Sequence, residues 1–574
     1  MTQRTRCLLE VFPLAAVTLV IALGYWLTQP PLYNPAGSID PWLYTALFVN
    51  FDQTYEAFVT TYYPSRLPLI VPGYVLNLLF DPTTAYFLLH GIFFFAGGMF
   101  VYLLVRTGFG RIPALAAYAW MTGSQMYFDA HRWDYWDGTI ITYLAAALYF
   151  GLTPPRRVQL RILWLALAGF FVAAAIATNL YVLALAVPLP LIYVALAWAG
   201  SVSALARRAA VDVPAFVGGL IMLFVGGGIF AAANGGKFWF IGPQIEATRV
   251  INNADYKQQY SAWLPQEPRV IVPLLLIVLI GALVWQDNEW SAPRRAALGG
   301  CLYLGGLCLV LGLHEFALGG YFMEYLFYFN LLLPAMSLCF GAFCFYLVRD
   351  MPRSVGVGSV VAIIAAIEAA LLYVYWGDEA GRVGTVGYWV GGTLMGVAAI
   401  STFARVLLSR RFFLGPASAL VAGLAFAGGS AYAFNGSLGT FTRGDSHSRT
   451  ASANTFQVAM RIVPYLRREL GDGRLPAFWY DDTAANGAHV GIQSLYYFSY
   501  TYLGRDMPKV NGDFKTRLAT INPEVIVLLC SDQSCDGGPD NLRSKGIPID
   551  FRTEHRFANG DLQVWVKIFD LTRV

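Results

Sequence analysis

The chain is organised by apolar runs of about 20 residues, the length that crosses a bilayer as a helix. About thirteen such runs recur along it, over 10–27, 83–105, 112–128, 138–153, 162–178, 180–200, 213–234, 270–286, 296–313, 325–348, 355–376, 384–407 and 412–434. Of its 574 residues, 57% are hydrophobic and 13% charged, whereas a soluble domain carries about 25% charged residues. No soluble fold hides that much apolar sequence, so a polytopic α-helical membrane protein is expected. No A-x-A cleavage site follows the first run, which reads as an anchor and not as a removed signal. The formal net charge of +4 gives no reason to expect a nucleic-acid partner.

Arginines set the orientation. They stand before the first run (Arg4, Arg6) and between or after later ones: Arg106 and Arg111, Arg156, Arg157 and Arg161, Arg207 and Arg208, Arg294 and Arg295, Arg349 and Arg353, Arg410 and Arg411. With alternating spans, all of these loops fall on one side, and the positive-inside rule makes that side the cytoplasm. The expected protein therefore sits in a bacterial inner membrane with a cytoplasmic N-terminus. Residues 1–434 form the membrane part, and residues 435–574 form a periplasmic domain.

That tail changes character. NTFQVAMRIVPYLRREL has helical spacing, with Phe456, Val458, Met460, Ile462, Val463 and Leu466 as its apolar positions. PAFWY, PEVIVLLC and DLQVWVKIFDL read as strands, so a small α/β domain is expected. It contains no P-loop and no G-x-G-x-x-G, which points to acceptor recognition or support and away from chemistry. Cys530 and Cys535 lie in a polar stretch of this domain. In an oxidising compartment they are candidates for a disulfide, the alternative being two free thiols. Cys301, Cys308, Cys339 and Cys344 lie in apolar runs and read as small core residues.

Three outer loops are long enough to matter: 28–82, 123–137 and 235–269. The first mixes aromatics with few charges and is expected to form short helices on the membrane surface. It holds Asp40 in GSIDPWLY and Arg66 in YYPSRLP. The second, TGSQMYFDAHRWDYWDG, crowds Asp129, Asp134 and Asp137 around His131 and Arg132. The third carries Lys237, Glu246 and Arg249, which either line a groove or form a solvated loop. His314, Glu315 and Glu324 fall where two further runs meet the outer face, and Glu368 lies inside an apolar run.

A carboxylate beside an apolar wall can act as general base toward a hydroxyl. An arginine nearby can grip phosphate in bidentate fashion. The competing structural reading makes Asp40 and Asp137 helix-starting residues. In a chain this poor in charge, acids and arginines confined to two short loops favour a site over a set of caps. Asp40, Asp134 and Asp137 are its candidate catalytic residues. Arg66, Arg132, His131, Lys237 and Arg249 are its candidate phosphate-binding groups. Carboxylates in this number are also candidate ligands for Mg or Mn.

The arrangement resembles the GT-C glycosyltransferases, in particular the protein mannosyltransferase-like branch that includes the bacterial lipid A aminoarabinose and rhizobial galacturonic acid transferases. An acid follows the first span (Asp40 in IDPWLY). A Tyr-Pro element comes next (Tyr62, Tyr63, Pro64, with Arg66 following). A second acid opens the fourth span (Asp137 in DGTIITYLAAALYF). The resemblance is strongest over roughly residues 10–200. It implies a GT-C-like membrane domain, a sugar donor carried on a polyprenyl phosphate, and transfer outside the cytoplasm to a lipid, glycan or protein acceptor. It makes Asp40 the base toward the acceptor and Asp137 or Asp134 a supporting acid, with Arg66 and Arg132 on the phosphate. Pro41 stands where protein mannosyltransferases commonly have glutamate, which favours a lipid or glycan acceptor over a protein. The rival from another class is a transporter of lipids or lipid-linked oligosaccharides. That class usually shows internal repeats and charge at the midplane; no clear repeat is evident here, and the acids cluster at one face instead.

Overall fold

A computed structural model describes residues 12–23, 39–59, 61–197, 201–253, 268–285, 291–318, 326–349, 358–359, 361–365, 393–403, 414–436, 445–471, 476–480, 523–530, 538–544 and 546–572. The molecule is mostly helical, with a small sheet near its C-terminus. Among the described residues, 5 helices are long and apolar enough to cross a membrane: Pro82–Phe109, Val158–Thr178, Val202–Ala233, Ala292–Glu315 and Asn330–Val348. Shorter apolar helices include Phe12–Leu23, Leu67–Leu79, Ile271–Trp285, Thr393–Phe403 and Ala417–Ser430. Leu78, Leu79, Ile221, Ile229 and Leu309 stand exposed on these helices. Such a surface suits lipid and not water, so the chain is an integral membrane protein.

Local chemistry explains where helices end short of the apolar runs. The run at 112–128 stops as a helix at Thr122. Ser124 Oγ then accepts from Tyr127 N at 3.3 Å and starts the separate turn Gln125–Ala130. The run at 180–200 divides into Val182–Ala186 and Leu189–Ala197 around Pro188, whose ring and missing N–H interrupt helix bonding.

The first outer loop forms helices Ile39–Val49, Phe51–Phe58 and Leu67–Leu79. The first of them does not lie on a surface. Trp42, Leu43, Tyr44, Ala46, Leu47 and Phe48 are all buried. IDPWLYTALFV is apolar nearly all round; such a helix leaves water either into lipid or into protein, and here protein encloses it.

The C-terminal sheet has order β1-β2-β4-β3, from Pro476–Tyr480 (β1), Val525–Cys530 (β2), Ile549–Asn559 (β3) and Leu562–Leu571 (β4). β1 and β2 are parallel, and the β2–β4 and β4–β3 pairs are antiparallel. β2 is buried on both faces. Val525, Val527 and Leu529 pack with helix Asp445–Leu470, while Ile526, Leu528 and Cys530 pack with Leu542 and Phe569. Trp42, from the first outer loop, enters the helix-facing core beside Phe456 and Val458. Cys530 is disulfide-bonded; Cys535 lies outside the described residues, as do Glu324 and Glu368.

Helices Val158–Thr178 and Val202–Ala233 approach backbone to backbone. A Cβ on Gly169 would overlap the Phe216 carbonyl, and one on Gly219 would overlap the Ala166 carbonyl. Backbone cannot swing aside as a flexible side chain does. Gly169→Ala or Gly219→Ala is therefore expected to cost about 1–3 kcal/mol, read as a lower Tm of the detergent-solubilised protein.

Candidate active site

Helix Ile39–Val49 opens with Asp40 in its first turn. The helix N-terminus favours negative charge there, and the missing N–H of Pro41 is not needed. The helix-start reading of Asp40 thus has substance, but the carboxylate has other partners. Tyr63 Oη donates to Oδ1 at 2.7 Å and Tyr135 Oη to Oδ2 at 3.5 Å. Burial and the charge of Asp40 raise the Tyr63 phenol far above its ordinary range, which keeps its proton on the donor side. Asp40 itself is half-buried.

Arg66 comes from YYPSRLP, a tight turn in which Arg66 N donates to Tyr63 O at 3.3 Å. It occupies the N-cap position of helix Leu67–Leu79, with Pro68 just inside. Gln244 ties the turn down from a distant helix, donating to Ser65 O at 3.3 Å and to Ala177 O at 2.6 Å. The Arg66 guanidinium lies over the rings of Tyr62 at 5.0 Å, Tyr44 at 5.6 Å and Trp136 at 5.8 Å. It is 9% exposed, and its Nε and Nη1 have no hydrogen-bond partner among the described residues. Cation–π contacts contribute about 0.5–2 kcal/mol each. They do not satisfy N–H donors, and a buried charge without a counter-ion costs several kcal/mol. An anion placed against Arg66 would offset that cost.

The second loop brings the remaining acids. A Cβ on Gly138 would overlap the Ala130 carbonyl, so glycine there lets helix Trp136–Leu152 start hard against the preceding turn. Trp133 Nε1 donates to Asp137 Oδ1 at 3.0 Å and Asn330 Nδ2 to Oδ2 at 3.4 Å. Burial at the end of this loop pushes Asp137 up to about 8, so at neutral pH it is largely protonated. Asp134 takes hydrogen bonds from His90 Nε2, at 2.9 Å to Oδ1, and from Thr45 Oγ1 to Oδ2.

The structure thus brings Asp40, Arg66 and the 134–137 segment to one tyrosine-rich cluster. Tyr44, Tyr62 and Tyr135 each feel the charge of both Asp40 and Arg66. Trp136 lies against Arg66 and meets the Tyr328 ring at a tilt, 5.1 Å between centroids, and Tyr328 in turn meets Tyr181 at 5.2 Å. Arg132 is paired with Asp129 at 3.1 Å. His131 is buried, with its ring nitrogens on Tyr127 O and Thr142 Oγ1; burial lowers it to about 3, so it is neutral and lies under the site. Lys237, Glu246 and Arg249 are exposed and take no part in the cluster. His314 is half-buried 6.0 Å from Tyr181, and Glu315 is buried beside it. Among the described residues, no three of His, Cys, Asp and Glu are grouped as metal ligands.

Several members were not evident from sequence. Tyr135 and Trp136 stand in the quoted WDYW string, but only the fold turns them toward Asp40 and Arg66. His90 and Asn330 each had a legible signal, a polar side chain inside an apolar run. Thr45 had none.

No family model matches the chain, and no curated protein matches it. Among solved structures it is similar to the crystal structures of ArnT from Cupriavidus metallidurans in the apo state and bound to undecaprenyl phosphate. The TM-scores are 0.47 and 0.46, each at 16% identity over 96% of this chain and 97% of that one.

Because Arg66 is buried without an anion, Arg66→Met is expected to leave the unliganded Tm unchanged or raised. The same variant is expected to lose the stabilisation that an anionic ligand gains by pairing with Arg66, about 2.7 kcal/mol at a ligand concentration 100 times Kd. Thermal melts with and without an alkyl phosphate measure both.

Proposed function

We propose that the chain is a membrane glycosyltransferase that moves a sugar from a polyprenyl-phosphate donor to a lipid or glycan acceptor outside the cytoplasm. The observation that carries the reading is Arg66, a buried guanidinium with unpartnered donors, set in the same tyrosine cluster as the half-buried carboxylate of Asp40. An anion-seeking cation and a base accessible to a hydroxyl are what displacement at a glycosyl phosphate requires.

In this reading the acceptor hydroxyl gives its proton to Asp40 as its oxygen bonds to the anomeric carbon. The bond from that carbon to the phosphate oxygen breaks, and the departing lipid phosphate keeps the electron pair. Arg66 stabilises the charge that develops on it. Tyr63 and Tyr135 hold the Asp40 carboxylate in place, and Asp137, buried and held by Trp133 and Asn330, supports the site without touching the reacting atoms. The chain crosses the membrane about 13 times, with its arginine-rich loops in the cytoplasm. Residues 1–434 are the GT-C-like catalytic part, and residues 435–574 lie outside as a domain that supports the site or receives the acceptor.

The test is sugar transfer by purified protein given a polyprenyl-phosphate sugar. Asp40→Asn is expected to lower turnover by about 10²–10⁴-fold, the contribution of a positioned general base. Unchanged turnover in that variant overturns the base assignment. Lipid movement without any transfer supports a transporter instead. Transfer that persists in EDTA leaves Arg66 as the cation at the leaving group. Transfer lost in EDTA and restored by Mg or Mn instead places a metal among Asp40, Asp134 and Asp137.

A further inference from the structure

Asp134 is an aspartate like Asp40, yet its surroundings are different. It is 1% exposed, against the half-burial of Asp40. Each of its oxygens is engaged by a side chain, Oδ1 by His90 Nε2 at 2.9 Å and Oδ2 by the Thr45 hydroxyl. Thr45 lies on helix Ile39–Val49, whose first turn holds Asp40. His90 lies about two turns into helix Pro82–Phe109. The residue after Asp134 is Tyr135, whose hydroxyl reaches Asp40. One buried carboxylate therefore ties together the helix that carries Asp40, a neighbouring long helix and the loop that supplies a phenol to Asp40.

The anchorage extends outward. Tyr86, one helical turn before His90, packs on its ring at 4.4 Å and donates to Arg132 O at 2.5 Å. Phe456 of the C-terminal helix meets Tyr86 at 6.2 Å. On another side of the Asp40 helix, Trp42 is buried in the core that Phe456 shares.

We propose that Asp134 is a positioning residue for Asp40, acting through Thr45 and through the backbone to Tyr135, with His90 as the donor that holds it. This rests on the glycosyltransferase reading above for the reaction it serves. Asp134 touches no substrate. It sets the angle of the first turn of helix Ile39–Val49, and misplacing a catalytic group by about 1 Å costs on the order of 100-fold in rate.

Thr45→Val keeps the shape of the side chain and removes the hydroxyl. His90→Ala removes the other donor, and His90→Gln returns an amide N–H at the same reach. The expected result is a kcat lowered about 10- to 100-fold in Thr45→Val and His90→Ala. Donor KM should stay within about threefold, and His90→Gln should recover most of the loss. Combining Thr45→Val with Asp134→Ala is expected to cost little more than Asp134→Ala alone, because both break one connection. Backbone hydrogen exchange over 39–49 should rise in Thr45→Val and His90→Ala, a readout that needs no turnover. Unchanged kcat and unchanged exchange in Thr45→Val overturn the proposal. So does an Asp134→Ala loss as large as that of Asp40→Asn while Thr45→Val stays fully active, which makes Asp134 a catalytic group. A wild type that transfers no sugar, with exchange over 39–49 still rising in both variants, removes the reaction and keeps the coupling.

Discussion

Helix Ile39–Val49 is enclosed on every side, and the site is arranged around that enclosure. Its aromatic and aliphatic side chains each gain about 1.5–3 kcal/mol from burial. That gain requires other elements to come to it. Phe48 lies where a Cβ on Gly73 would overlap its ring, so helix Leu67–Leu79 packs at close range. Tyr44 sits under Arg66, Thr45 meets Asp134, and Trp42 is taken up by the C-terminal core. Asp40, at the head of a helix held this way, has little freedom. Rigid placement of a carboxylate near a fixed cation is what the proposed transfer requires.

The charges of the molecule divide by whether they are satisfied. Asp212 accepts two donors from Arg161 and one from Tyr193 at 2.9 Å, and Asp129 accepts from Gln125 at 2.6 Å and pairs with Arg132. Each of these cations faces a carboxylate, so charge is met by charge, although Arg132 Nη1 and Asp129 Oδ2 make no hydrogen bond. Arg66 is the contrast: it is enclosed, its guanidinium lies over aromatic rings, its Nε and Nη1 make no hydrogen bond, and among the described residues no carboxylate pairs with it. A buried unmet donor costs about 1–3 kcal/mol, more when charged. A fold that retains such a cost gains the ability to bind what removes it. This distinction separates Arg66 from Arg132, which sequence position alone treats as equivalent.

Much of the fold was legible because its signals are local. Apolar runs anticipated the long helices, and the spacing of Phe456, Ile462 and Leu466 anticipated the helix of the tail. The segments read as strands became β1, β2 and β4. β3 escaped because IDFRTEHRFAN alternates weakly and carries charges on an exposed edge. The site was legible in part. Asp40, Tyr63, Arg66 and Asp137 stood out as polar residues in a chain with few of them. Thr45, Tyr135 and Tyr328 did not, because a hydroxyl near the right carboxylate looks in sequence like any other.

What the sequence determined by itself was the class of molecule and its candidate chemistry. Apolar length dictates membrane helices, since an exposed backbone cannot be satisfied in lipid. Scarcity of charge makes the few loop acids and arginines conspicuous. Only tertiary structure decided which of those charges are spent on one another. Arg132 found Asp129 and Asp134 found His90 and Thr45, while Asp40 and Arg66 were left facing a shared cluster of phenols. The Arg132–Asp129 pair is local, three residues apart, but the partners of Asp134 lie 44 and 89 residues away in the chain, and no local pattern encodes those distances.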